Sequence, residues 1–173
     1  MKKQNRWKRL LAGLLAGLSL LPAVPQMAQA KEYWPDGVSA ASPSAIVMEV
    51  NTGTILYEKK IHKQFYPASI TKIMTTLLAI ENCDMDEIVT FSADAVYNNE
   101  GDTSHIARDL DEQLTVEQCL YGIMLESANE CAYAIAEHVG QKLGGDYQTF
   151  IDLMNSRAKE LGCVDSHFVN PNG

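Results

Sequence analysis

Tyr66-Pro67-Ala68-Ser69-Ile70-Thr71-Lys72-Ile73-Met74-Thr75-Thr76 sets a hydroxyl and an amine three residues apart at the start of an apolar run. Pro67 suits a helix start, and Ile73, Met74, Leu77, Leu78 and Ile80 recur at helical spacing. The pattern predicts a helix from about residue 68 to 80, with Ser69 and Lys72 on one face. A serine hydroxyl is a weak nucleophile until a base takes its proton. A lysine whose ammonium is disfavoured by burial or neighbouring charge can be that base as a neutral amine. The same residues also fit a helix-start serine followed by an exposed lysine.

A second polar pair stands 58 residues downstream of Ser69, in Ser127-Ala128-Asn129. Thr115 and Gln118 have the spacing of a capping box, and Leu120, Ile123, Met124 and Leu125 supply an apolar helix after it. Ala132, Ile135, Ala136 and Val139 supply another, expected to stop at Gly140. Ser127 and Asn129 therefore sit at a break between two helices, either as end caps or as side chains aimed into a cleft. Upstream, residues 45–50 and 54–58 read as a β-hairpin around Asn51-Thr52-Gly53, with Gly53 at positive φ. Residues 81–113 are polar and punctuated, an irregular excursion with one short strand at residues 88–91 and an acidic run, Asp109 to Glu112, that reads as a solvated loop. A last helix fits residues 147–161, with Asp146 as N-cap, Phe150, Leu153, Met154 and Leu161 toward the core, and Gly162 as its stop.

Taken together, Ser69-Ile70-Thr71-Lys72 and Ser127-Ala128-Asn129 resemble the first two of the three motifs of the serine penicillin-recognising enzymes, S-x-x-K, S-x-N and K-T-G. Within that group the chain is most similar to the low-molecular-mass, S11-type D-alanyl-D-alanine carboxypeptidases, through the hairpin before the serine, Pro67 to Thr75, Leu114-Thr115-Val116, Ser127 to Glu130 and His167 to Gly173. The resemblance implies an α/β (α+β type) fold, the penicillin-binding protein and serine β-lactamase-like transpeptidase fold: an antiparallel sheet flanked by helices, with a helical subdomain. It implies Ser69 as nucleophile, Lys72 as its base, Ser127 as proton relay and Asn129 as substrate binder. No cofactor is expected, and the residue spacing gives no expectation of a metal. The expected partner is a peptidoglycan stem peptide ending in D-Ala-D-Ala, with β-lactams as inhibitors. Ala128 stands where the family usually has glycine, and Glu130-Cys131 where Asp-Ala is common. No Lys-Thr-Gly follows Asn129 in the 173 residues. Residues 31–173 are thus expected to form the N-terminal part of the catalytic domain, with later strands missing and any membrane association confined to that missing part. A serine β-lactamase and a noncatalytic, wall-binding remnant are the alternatives. Glu160-Leu161-Gly162-Cys163-Val164 does not match the E-x-x-L-N loop of class A β-lactamases.

Residues 1–30 have the form of a secretory signal: a basic start at Lys2, Lys3, Arg6, Lys8 and Arg9, an apolar stretch from Leu10 to Leu21, and Ala28-Gln29-Ala30 as the cleavage site. The whole chain has a net charge of −8, and removing a segment with five basic and no acidic residues leaves −13 on 143 residues. That balance argues against nucleic acid as a natural partner, while the signal segment implies export and the resemblance implies a place in the cell envelope. Export permits disulfides among Cys83, Cys119, Cys131 and Cys163, with three full pairings, and equally permits buried free thiols. His62, His105, His138 and His167 are scattered, without the spacing of a zinc peptidase.

Overall fold

The computed structural model describes residues 37, 39–98 and 103–173, so the signal-like segment lies outside the described residues. Two compact units divide the chain after Lys59. The first contains the hairpin, β1 (Ala45–Met48) and β2 (Ile55–Lys59), paired antiparallel from Ala45↔Lys59 to Val47↔Tyr57 with a register shift between Val47 and Met48. Its turn is organised by one carboxylate. Glu49 accepts hydrogen bonds from the Thr52 hydroxyl (2.6 Å), the Asn51 N–H (3.0 Å) and the Thr52 N–H (2.7 Å), which hold its pKa down at about 2. Gly53 takes the expected positive φ, 70°. Drawing Glu49 into the turn ends β1 two residues before the expected limit at residue 50.

The second unit begins at Lys60. The expected single helix from residue 68 is instead a 3₁₀ turn, Ala68–Thr71, running into α1 (Lys72–Asn82). Three residues per turn eclipse positions i and i+3, which stacks Lys72 over Ser69 more directly than α-geometry would. Ala68 opens the turn at φ 49°, and its carbonyl lies where a Cβ on Gly173 would come within 1.9 Å, so only glycine fits there.

The excursion carries more order than its composition implies. β3 (Ile88–Thr90) pairs antiparallel with β4 (Gln113–Thr115), and Ser92 caps a short α2 (Ala93–Tyr97). The acidic run is not simply solvated. Asp111 N–H donates to the Phe91 carbonyl and Phe91 N–H to the Glu112 carbonyl, both at 2.9 Å, while the Glu112 carboxylate pairs with Arg108 at 2.6 Å. Phe91, whose backbone is held by this clasp, is fully buried in the core.

Three longer helices follow: α3 (Val116–Glu126), α4 (Asn129–Lys142) and α5 (Tyr147–Glu160). Both expected N-caps form full capping boxes, Thr115 with Gln118 and Asp146 with Thr149. α4 does not stop at Gly140 but runs to Lys142; Gly140 is required because a Cβ there would lie 2.0 Å from the Asp146 carbonyl. Leu161, expected in the core, is about half exposed because it follows the last turn of α5 as its C-cap. α4 packs against α1, α2, α3, α5 and β3. The core around it includes Leu78, Val89, Val116, Ile123, Ile135, Val139, Phe150 and Met154, each worth about 1.5–3 kcal/mol of burial. Among the described residues no helix is long and apolar enough to cross a membrane.

Candidate active site

All four residues singled out in the sequence converge within the second unit. Ser69 sits in the 3₁₀ turn and Lys72 is the first residue of α1. Ser127 ends α3 in the left-handed conformation, φ 57°, and Asn129 is the first residue of α4. The break between α3 and α4 is tied down by its backbone. Ala128 N–H donates to the Gly122 carbonyl at 3.1 Å, and Asn129 N–H to the Ser104 carbonyl at 2.9 Å. Ser127 does act as a helix end, yet its hydroxyl is aimed elsewhere: it donates to Ser69 Oγ at 2.8 Å.

Lys72 Nζ uses all three donors of an ammonium. It reaches Ser69 Oγ at 3.2 Å, Asn129 Oδ1 at 2.6 Å and the Asn172 carbonyl at 3.2 Å. The side chain is 2% exposed. Burial lowers its pKa below the ordinary 10.5, and the nearby charge of Glu130 opposes part of that fall. A neutral amine in the same place keeps two donors for Asn129 and Asn172 and turns its lone pair toward the Ser69 hydroxyl. The geometry thus suits removal of that hydroxyl's proton. An open hollow of about 350 Å³ lies over these groups, lined by Ser69, Ile70, Lys72, Ile73, Ile123, Met124 and Ser127.

Two contributors were not visible in the sequence as site residues. Asn172 supplies only a backbone carbonyl, and the segment that carries it is fixed by the Thr75 hydroxyl, which donates to the Pro171 carbonyl at 2.6 Å. Glu130 is 2% exposed; its Oε1 accepts from Ile106 N–H at 2.6 Å, and its Oε2 has no hydrogen-bond partner among the described residues. The departure from Asp-Ala at Glu130-Cys131 was the one signal that pointed there. Cys131 stands beside Cys119; the thiols of Cys83, Cys119 and Cys131 are buried, that of Cys163 is exposed, and all four are free. A hydrogen bond to Cys119 and then burial push the Cys131 thiol well above its ordinary pKa.

Comparison with known proteins points the same way. The D-alanyl-D-alanine carboxypeptidase family, Peptidase S11, matches residues 28–173. The D-alanyl-D-alanine carboxypeptidase DacF of Bacillus subtilis is 37% identical over 175 residues, spanning 96% of this chain and 42% of the relative. Among solved structures, the Streptomyces K15 DD-transpeptidase superposes with a TM-score of 0.71 at 31% identity, covering 80% of this chain and 55% of that one. Penicillin binding protein 5 of Haemophilus influenzae superposes at 0.68 with 27% identity, covering 79% and 41%. The chain therefore spans about half the length of the proteins it matches. Over that span the architecture is that of the penicillin-binding, DD-peptidase fold. On the extent and identity of these matches, with Lys72 hydrogen-bonded to both Ser69 and Asn129, the chain belongs to the D-alanyl-D-alanine carboxypeptidase family of peptidases.

Proposed function

We propose that this chain carries the acylating half of a serine D-alanyl-D-alanine carboxypeptidase acting on peptidoglycan stem peptides, and that penicillin acylates the same serine. The observation that carries the reading is the position of Ser69 Oγ between Lys72 Nζ at 3.2 Å and Ser127 Oγ at 2.8 Å. Ser69 attacks the carbonyl carbon of the D-Ala-D-Ala bond as its proton passes to the neutral Lys72 amine. The negative charge that develops on the carbonyl oxygen falls to backbone donors, the Ser69 N–H at the head of the helix among them. Collapse breaks the C–N bond, and the leaving D-alanine nitrogen takes its proton from Lys72 through the Ser127 hydroxyl. Water then releases the shortened peptide from Ser69. Asn129 holds Lys72 in register and offers its amide to the substrate backbone. β-Lactams follow the first step because their ring amide places a carbonyl in the same position.

Residues 1–30 serve in this reading as a signal segment cleaved after Ala30, with the remainder acting outside the cytoplasm on the cell wall. N-terminal sequencing of the exported protein checks that cleavage. Lys-Thr-Gly occurs nowhere in the 173 residues, so acylation and D-alanine release are measured separately. Fluorescent penicillin should label the chain at Ser69, with loss of label in Ser69→Ala. An unlabelled parent, or equal labelling of Ser69→Ala, rejects Ser69 as the nucleophile.

A further inference from the structure

At the opposite ends of α1 and α4 from Ser69, three side chains of different chemistry meet. Cys83 caps the C-terminus of α1, Glu87 immediately precedes β3, and His138 lies in the third turn of α4. The Cys83 thiol, a Glu87 carboxylate oxygen and a His138 ring nitrogen all lie within 4.8 Å of one another. His138 Nε2 is 3.0 Å from Glu87 Oε2. We propose that Cys83, Glu87 and His138 form a three-ligand site for a divalent cation of the zinc class, with solvent as fourth ligand.

The donor set is the first argument. Thiolate, imidazole and carboxylate together suit zinc, whereas calcium and magnesium take oxygen ligands. Geometry is the second. With bonds of about 2.0–2.1 Å to nitrogen and oxygen and about 2.3 Å to sulfur, tetrahedral ligands stand roughly 3.3–3.5 Å apart. An ion therefore needs the Glu87–His138 pair to open by a few tenths of an ångström and the thiol to close by at most about 1.3 Å. The third argument is the support around Glu87. Its carbonyl accepts from Val116 N–H at 2.9 Å, and its Oε1 accepts from Asp84 N–H at 2.7 Å and from Lys142, leaving Oε2 toward His138. Such outer contacts orient a carboxylate ligand. Cys83 is nearly buried, while Glu87 and His138 are partly exposed and leave a route from solvent.

On binding, the Cys83 thiol proton leaves to solvent, and thiolate and carboxylate balance the two positive charges. His138 exchanges its hydrogen bond to Glu87 for the metal, and Lys142 stays on Oε1. The ion would fasten the end of α1 to α4, so its effect is on stability and not on the acylation chemistry. Residue spacing does not reveal the cluster, because His138 is 51 positions from Glu87 and 55 from Cys83.

The test uses the metal-free full chain titrated with Cd²⁺ and with Zn²⁺. One equivalent of Cd²⁺ should raise an ultraviolet thiolate charge-transfer band, and Zn²⁺ at a hundredfold excess over its Kd should raise the Tm by about 5–10 °C. Both should vanish in Cys83→Ser, weaken at least tenfold in His138→Gln, and persist in Cys163→Ser. Lys142→Met should bind at least as tightly, since one competing cation is gone. If Cys83→Ser loses its circular dichroism, His138→Gln decides, because that position is partly exposed. A parent chain showing neither band nor Tm rise, or unchanged affinity in His138→Gln, overturns the proposal, as does a band lost only in Cys163→Ser.

Discussion

A lysine that is 2% exposed and hydrogen-bonded to three acceptors invites two opposite readings, a pinned ammonium or a poised amine, and its titration separates them. Burial dominates and lowers the pKa of Lys72 from 10.5, while Glu130 raises it. The penicillin acylation rate should therefore climb with pH through a midpoint below 10.5, and Glu130→Gln should move that midpoint to still lower pH. A stopped-flow pH–rate profile of both proteins checks the sign; a midpoint that rises or stays fixed in Glu130→Gln removes Glu130 from the site's electrostatics. Lys72→Met should lose acylation by about a hundredfold to ten-thousandfold, the range expected for a positioned base. The same residue predicts a stability trend. Between its folded pKa and 10.5 the unfolded chain holds a proton that the folded chain has released, so stability rises with pH across that window. Denaturant melts of Lys72→Met should lack that rise. The four residues brought together here were legible because a motif names side chains. Asn172 was not, since it acts through a carbonyl that any residue possesses.

Helix periodicity located α1, α3, α4 and α5, and the caps at Thr115 and Asp146 were readable because capping chemistry is local. Gly140 misled because glycine within a helix has two explanations, termination and close approach, and only the tertiary structure tells them apart. The distinction is measurable. Gly140→Ala sets a Cβ 2.0 Å from the backbone carbonyl of Asp146, which cannot swing aside. The overpacking should cost about 1–3 kcal/mol and outweigh a helix-propensity gain of about 1 kcal/mol. Gly122→Ala crowds only the ends of two side chains, Ile106 Cδ1 at 3.0 Å and Cys131 Sγ at 3.1 Å, with Ala128 Cβ at an ordinary 3.7 Å, so it should stay within about 1 kcal/mol of the parent. Thermal melts of the pair should rank Gly140→Ala well below Gly122→Ala. The strand expected at residues 88–91 is β3, but its partner β4 and the short α2 were hidden, because a three-residue strand and a five-residue helix are too short to set up a period. The cysteines follow the packing of these elements. In the absence of metal, Ellman's reagent should find Cys163 promptly in the native chain, and Cys119 and Cys131 only after denaturation.

At the scale of the molecule, the site depends on a path of contacts that local sequence could not reveal. Asn155 on α5 binds the backbone of Phe168 in both directions, its amide donating to the Phe168 carbonyl and its oxygen accepting from the Phe168 N–H, each at 2.8 Å. That fixes the start of the segment that ends at Gly173. Asn170 then gathers the segment: its Oδ1 accepts from Asn172 N–H at 3.2 Å and from Gly173 N–H at 2.5 Å. Pro171 is held under α1 by Thr75, and Asn172 delivers its carbonyl to Lys72, 100 positions earlier in the chain. A helix at one side of the unit thereby sets the orientation of an amine on another helix. Asn170→Ala removes the acceptor that shapes this turn while touching neither the serine nor the lysine. Two lost hydrogen bonds should lower stability by about 1–3 kcal/mol. Because Lys72 loses a fixed acceptor, acylation should also slow, by roughly tenfold, as expected when a base is displaced and not removed. Penicillin acylation rates measured beside denaturant melts separate the two effects. A stability loss with an unchanged acylation rate would show that Asn172 merely packs against Lys72, whereas a slower rate at temperatures where the variant is fully folded shows that the segment positions the amine.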